Sequence, residues 1–381
     1  MITNQPRGRK HEYGATALLV VTFSILILTT ISIGFMRLVV QDQNRTNNDE
    51  LSRGAYDAAL AGVEDGKRVL QACLQGGSAS SACQAIISKQ CNTIHRSKVL
   101  STSDSDSNQS EVLIQNNSGI SGGFDQAYTC VKIDRETADY QGSLAINQSS
   151  IIPLDTTGPF SQITVSWFDR VKNATAPLDI PTPVAGNMAL PQANKWSAAG
   201  KVRPPILRVQ LMQFSASGFK LGDFDENGGG STLFLYPSSV GLTAHQFAVD
   251  ARRSPSNNLL QTVRCGGSAA YVCSTTLSVQ NPVNGDANSR QAYLRVTALY
   301  GETDFALSFP QGVKLNGVQP AIDSTGRASN VFRRVRARVQ LQTPLESQLY
   351  PRATVDTTQD FCKDFGISGS EFIDGNCPVT P

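Results

Sequence analysis

The stretch GATALLVVTFSILILTTISIGFMRLVV, residues 14–40, decides the layout of this chain. Between Ala15 and Met36 it holds no charged residue, so as one helix it is long enough to cross a hydrocarbon core of ~30 Å. Arg7, Arg9 and Lys10 precede it, and about 340 residues follow it. The positive-inside rule then keeps the short N-terminus in the cytoplasm and places the bulk of the chain outside. The apolar run is too long for the core of a cleaved secretory signal, which spans ~7–15 residues. It also passes without a break into VQDQNRTNNDELSRGAYDAALAGVEDGKRVLQAC, residues 40–73. There Leu51, Ala55, Ala58, Gly62, Gly66, Val69 and Cys73 share one helical face. That face is mostly small, which suits close packing against another surface. Gly54, Gly62 and Gly66 each cost about 1 kcal/mol against alanine in an isolated helix, so tertiary contacts must support it.

A basic leader ending in Gly14, an uninterrupted apolar helix and an amphipathic continuation resemble the N-terminus of type IV pilins and type II secretion pseudopilins. The segment AYDAALAGVED, residues 55–65, is similar to the alanine-rich second half of that helix in large minor pilins. The resemblance is specific over about residues 7–70 and looser beyond. It implies cutting by a membrane prepilin peptidase between Gly14 and Ala15, followed by transfer of the apolar half from the bilayer into a helical filament. Two positions depart from the family. Leu19 stands where a glutamate is usual five residues after the cut, and Ala15 replaces the common phenylalanine or methionine. Such a glutamate is thought to pair with a neighbouring amino terminus, so its absence is similar to low-copy, tip-located members rather than bulk fibre subunits.

Composition fits an exported domain. A net charge of +2 over 381 residues gives no global field toward nucleic acid or membrane. The eight cysteines (Cys73, Cys83, Cys91, Cys130, Cys265, Cys273, Cys362 and Cys377) all follow the apolar run, with no CxxC pair. With only three histidines in the chain, disulfides in an oxidising compartment are the better reading than a zinc cage. Eight cysteines allow 105 connectivities. Proximity points to Cys73–Cys83, Cys91–Cys130, Cys265–Cys273 and Cys362–Cys377. Pairing Cys83 with Cys91 is disfavoured, because a helix over residues 82–90 separates them by ~12 Å.

Residues 78–94 read as a second short helix, and 101–123 as a polar connector with an apolar island at 112–114. From about residue 127 the apolar period changes from 3.6 to 2. Strands are expected at 128–133, 163–167, 207–211, 232–236, 270–275, 291–300, 305–309 and 331–341, with the longest loops at 170–205 and 237–266. The expected fold class is α+β: a long N-terminal transmembrane and stalk α-helix followed by a mainly antiparallel, pilin-like β head of one or two sheets. The expected organisation is a leader (1–14), a membrane or filament-core helix (15–40), its amphipathic continuation (41–73), a short helix and connector (74–125), and an extracellular head (126–381). The pilin resemblance implies that the last segment, 357–381, closes a C-terminal disulfide loop at the exposed edge of the head, a candidate contact surface.

Catalytic signatures are nearly absent, and the chain is read as a non-enzyme. The GxSxG match at residues 119–123 lacks the strand and helix that a nucleophile elbow needs, and 366–369 lacks the last glycine. No P-loop, GxGxxG or HExxH occurs. Asp223, Asp225 and Asn227 offer alternate oxygen ligands before Gly228, a calcium-type loop. Its twelfth position holds Phe234 where a bidentate glutamate is needed, so a polar turn is the leading reading and no cofactor is required. In VFRRVRARVQL, residues 331–341, Arg334, Arg336 and Arg338 share one face and repeat every ~6.6 Å, close to single-strand phosphate spacing. A solvated strand face is the leading reading of that stripe. Contact with a neighbouring subunit, or with DNA, is the functional alternative.

The resulting expectation is a structural minor subunit of a type IV pilus or related pseudopilus. It primes or caps a filament and presents an extracellular contact surface. The partners implied by the resemblance are other pilins or pseudopilins, the prepilin peptidase, the inner-membrane assembly machinery, the membrane itself and a host-surface ligand. The implied location is the inner membrane with the head outside, then the fibre or cell surface. Two alternatives stand beside it, a single-pass anchored adhesin that never enters a filament and a membrane-anchored hydrolase.

Overall fold

The structure is a computed structural model that describes residues 13–100, 111–115, 125–173, 177–182, 190–196, 200–214, 230–247, 260–267, 269–283 and 291–340. In chain order, three helices come first: α1 (Tyr13–Gly76), α2 (Ser81–Ile87) and α3 (Thr93–Ser97). Then come β1 (Val112–Gln115), β2 (Gln126–Thr137), β3 (Asp139–Leu144), β4 (Ser149–Pro153) and β5 (Phe160–Asp169). The one-turn α4 (Ala193–Trp196) precedes β6 (Ile206–Phe214), β7 (Gly230–Ser238), β8 (Ala244–Gln246) and β9 (Leu260–Arg264). The last strands are β10 (Tyr271–Val283), β11 (Gln291–Leu299), β12 (Thr303–Ser308), β13 (Leu315–Ala328) and β14 (Val331–Arg338).

The long helix forms because straight-chain and small residues dominate it and no proline interrupts it. At 64 residues it runs ~96 Å. It stops at Gly77, whose φ of +73° admits a left-handed turn and whose amide donates to the Cys73 carbonyl at 3.1 Å. Residues read as one helix over 78–94 form two, α2 and α3. Ser80 caps the first by accepting from the Cys83 amide, and Asn92 begins the second.

The C-terminal half of α1 lies on a four-stranded antiparallel sheet in the order β1-β2-β13-β14, here called the platform. The small face drives this docking. Ala55, Ala58, Gly62, Gly66, Val69 and Cys73 are all buried, whereas Leu51 is half-buried. A Cβ at Gly326 of β13 would overlap the Ala55 carbonyl oxygen and the Ala59 amide, so only glycine lets the strand approach the helix backbone this closely. Gly62 likewise meets Ser324 and Tyr128, and the Tyr128 hydroxyl donates to Asp65 at 2.7 Å. The apolar island expected in the connector is β1, an edge strand of this sheet.

Strands β3 to β12 form a β-sandwich inserted in sequence between β2 and β13, which are neighbouring strands of the platform. One sheet has the order β3-β12-β5-β10-β8 and the other β4-β11-β6-β7-β9. All their pairings are antiparallel except β10 with β8 and β7 with β9. The period-2 pattern places Ile163, Val165 and Trp167 of β5 and Leu207, Val209 and Leu211 of β6 in the shared core, with Leu277, Leu294 and Phe305. The Trp167 indole N–H donates to the Pro205 carbonyl at 3.0 Å, so this large buried ring leaves no polar atom unpaired. The expected loop over 237–266 contains β8 and β9, and the described residues form three sheets rather than one or two.

The register fixes the sandwich's position. Gly54 meets Gln126, Gly62 meets Tyr128 and Val131, and Gly66 meets Val131 and Ile322, so β2 runs in the direction of α1. It therefore ends at Thr137 on the side of the platform away from the apolar half of the helix. β13 starts there too, with Leu315 paired to Thr137. The Gln141 and Gln319 side chain and backbone bonds, 2.9 and 2.7 Å, close the junction.

Candidate anchor and contact surfaces

The apolar half of α1 has no partner among the described residues. Large apolar side chains from Leu18 to Val40 are 41–72 % exposed, where Val63, Val69 and Leu70 of the docked half are buried. Its hydroxyls are satisfied internally: Thr22 donates to the Leu18 carbonyl at 3.0 Å, Ser24 to Val20 at 2.8 Å, Thr30 to Ile27 at 2.8 Å and Ser32 to Leu28 at 2.8 Å. No backbone or hydroxyl group in this stretch needs water, which is the requirement for residence in an apolar medium. Among the described residues it belongs to the one helix long and apolar enough to cross a membrane. Gly14 and Ala15 fall in the first turn of α1. Residues 41–50 are polar apart from Leu51 beyond them and wholly exposed, a shaft of ~15 Å between the apolar half and the platform.

The arginine stripe lies on the platform edge strand β14, which ends at Arg338. Its guanidinium groups are not equivalent. Arg334 forms an ion pair with Asp323 on β13, and Arg338 with Asp139 at the start of β3. Arg336 lies across from Asp323 and is exposed, without an ion pair among the described residues. The hydrogen bond from Arg334 is the main reason that Asp323 sits below the usual carboxylate range. Partial burial opposes that shift, and the charges of Arg334, Arg336 and Lys132 add to it. The evenly spaced cations read from the sequence are thus reduced to one uncommitted guanidinium beside two spent on the chain's own carboxylates. That weakens the case for phosphate tracking and leaves a mixed-charge sheet face.

Three disulfides are formed among the described residues: Cys73–Cys83, Cys91–Cys130 and Cys265–Cys273, with Cα separations of 4.6, 4.3 and 4.3 Å. Cys362 and Cys377, the calcium-type loop residues Asp223, Asp225 and Asn227, both glycine-serine matches and the C-terminal segment lie outside the described residues. No group of three or more metal-ligating side chains occurs among the described residues. His245 is buried with Nδ1 at 2.8 Å from the Thr275 hydroxyl and Nε2 at 3.1 Å from the Thr262 carbonyl. Burial lowers its pKa below the ordinary histidine value, partly offset by the Thr262 bond, and its geometry is that of a core residue bridging β8, β9 and β10.

Sequence reasoning overlooked the far pole of the sandwich. β3 leads away from the platform, and successive pairings put Asp169, Thr303, Arg264 and Tyr271 at strand ends on that far side. The sequence signal was the short Cys265–Cys273 loop, read only as a disulfide and not as a scaffold for Arg264 and Tyr271 beside it.

Comparison of this chain with protein-family models, with curated proteins and with solved structures returned no match.

Proposed function

We propose that this chain is a pilin-like minor subunit of a type IV pilus or related pseudopilus, whose work is structural and whose cargo is the distal sandwich. One observation carries the reading. A single uninterrupted helix of 64 residues leaves its apolar half wholly uncovered and docks its other half on a small antiparallel sheet. The uncovered half first needs a bilayer and then, once detached from it, the apolar helices of neighbouring subunits. Gly14 is the cutting position, with the prepilin peptidase and the inner-membrane assembly machinery as partners. Leu19 in place of the family's glutamate favours a low-copy position. The sandwich, emerging at the end of the platform opposite the anchor, favours presentation of a surface over packing within a fibre wall.

The test is the N-terminus of the protein recovered from cells and its presence in sheared filaments. Mature protein beginning at Ala15 and fibre-associated supports the reading. Protein that keeps Arg7, Arg9 and Lys10 and stays in the membrane fraction replaces it with the anchored adhesin, which the same exposed helix and distal sandwich also support.

A further inference from the structure

From the polar shaft of α1, residues 41–50, we infer a melting joint: a stretch of the long helix that opens, so that the head can swing and extend on its anchor. The inference holds for a filament subunit and an anchored adhesin alike, so it stands apart from the choice between them. The sequence QDQNRTNNDE differs from what lies on either side. Six of its ten residues, Asp42, Asn44, Thr46, Asn47, Asn48 and Asp49, come from the weak end of the helix propensity scale. Asparagine and aspartate side chains bond to nearby backbone groups in non-helical conformations, so the open form has bonds of its own. Side-chain pairing does not repair the weakness. Asp42, Arg45 and Asp49 stand three and four residues apart, yet they form no ion pair among the described residues. Farther along the helix Glu64–Lys67 and Asp65–Arg68 do pair.

Both neighbours of the shaft are held, and the shaft is not. In an apolar medium the stretch from Leu18 to Val40 has no water to replace a broken backbone bond, so it stays helical. On the other side Gly54 meets Gln126, and Ala55, Ala58, Ala59 and Val63 are buried against the platform. Every residue from 41 to 50 is exposed, so opening there hands the backbone to water and breaks no packed contact. One term opposes it. Opening the interior of a helix creates two new ends, at the same penalty that opposes nucleation. A short weak run does not offset that penalty, whereas ten residues with six weak formers bring the open and closed forms near balance. Tension then tips the balance. Each residue advances about 1.5 Å in a helix and up to ~3.3 Å when extended, so opening the shaft lengthens the molecule by up to ~18 Å. All eight cysteines lie at or beyond residue 73, so no bridge spans this stretch. The platform grips α1 beyond it, and the head keeps its packing while the joint opens.

The experiment uses the full chain in lipid nanodiscs and follows amide hydrogen exchange along α1. Amides of the shaft are expected to exchange about 100-fold faster, or more, than those of Val63, Val69 and Leu70. The triple variant Asn44→Ala, Asn47→Ala, Asn48→Ala, at exposed positions, should slow shaft exchange about tenfold or more without moving the melting temperature of the head. A second arm measures the distance between genetically encoded spin labels at Val40 and Tyr56, which are 55 % and 49 % exposed. A closed helix sets them about 24 Å apart along its axis. The wild type is expected to add a broad population at other distances, and the triple variant to lose it. The proposal is overturned if the shaft is as protected as the docked half, or if the docked half exchanges as fast as the shaft. It is overturned equally if the triple variant matches the wild type in exchange and in distances. Processing at Gly14 is read separately, so failure here leaves the filament reading untouched, and the reverse.

Discussion

The two halves of α1 are one continuous helix with opposite solutions to the same problem. Both are rich in residues that avoid water, yet Leu18–Val40 is exposed throughout while Ala55, Ala59, Val63 and Val69 are almost fully buried. Side-chain size makes the difference. The docked half presents alanine and glycine, so a β-sheet of its own chain lies against its backbone. The apolar half presents leucine, isoleucine, valine and phenylalanine, bulky on every side, and no element among the described residues covers it. A helix that is apolar all round is built for a surrounding medium, and one apolar along a single stripe for a single neighbour.

Substitutions can break that contrast from either side. The largest effect is expected from Gly326→Val, which drives a branched side chain into the Ala55 and Ala59 backbone. The docked half and platform should separate, at a cost of about 3 kcal/mol or more, seen as a lowered and broadened melting transition of the head in detergent. A variant that melts like the wild type would mean that β13 and α1 do not meet closely. Ile27→Arg acts on the other half, where the side chain faces no protein. It should cost ~2.5–3.5 kcal/mol of membrane insertion, measured as loss from the membrane fraction, while head melting stays unchanged. Head destabilisation by Ile27→Arg would show that the two halves are not independent.

The smallest effect lies in the sandwich and sharpens the picture of a head with its own stability. Because burial holds the His245 pKa below 6.5, the unfolded chain binds more protons than the folded one as pH falls through 6.5 toward the lower folded pKa. Stability contributed by neutral His245 is present above pH 6.5 and is lost progressively below it. Melting at pH 5 and pH 8 should therefore differ more for the wild type than for His245→Gln. An unchanged difference would assign the pH sensitivity elsewhere.

The long helix was legible in the sequence because its signal is local: an unbroken apolar run followed by one small-residue face. Strands such as β5 and β6 were legible because their alternating residues point into a two-sheet core. β13 was not, although it is central to the platform. Its sequence, LNGVQPAIDSTGRA, carries glycines, a proline, Asp323 and Ser324, all of which read as turn residues. Gly326 and Ser324 serve the opposite purpose there, since they keep the strand thin where the helix lies on it. Missing β13 hid the insertion, because two neighbouring strands separated by about 180 residues leave no trace in local pattern.

The insertion also sets how the molecule responds to tension. A pull applied to the sandwich reaches the platform through two connections at once, into the end of β2 and the start of β13. Both strands are thus pulled from the same end, and the load spreads over their pairings with β1 and β14 and over the docked face of α1. From β2 the load passes through Cys130–Cys91 into the short helices and through Cys83–Cys73 into the end of α1. The chain between Cys91 and Cys130 is thereby short-circuited, and stretching the molecule cannot pay out that slack while the bridges hold. The path from the sandwich to the long helix thus carries covalent links where its thread would otherwise be weakest.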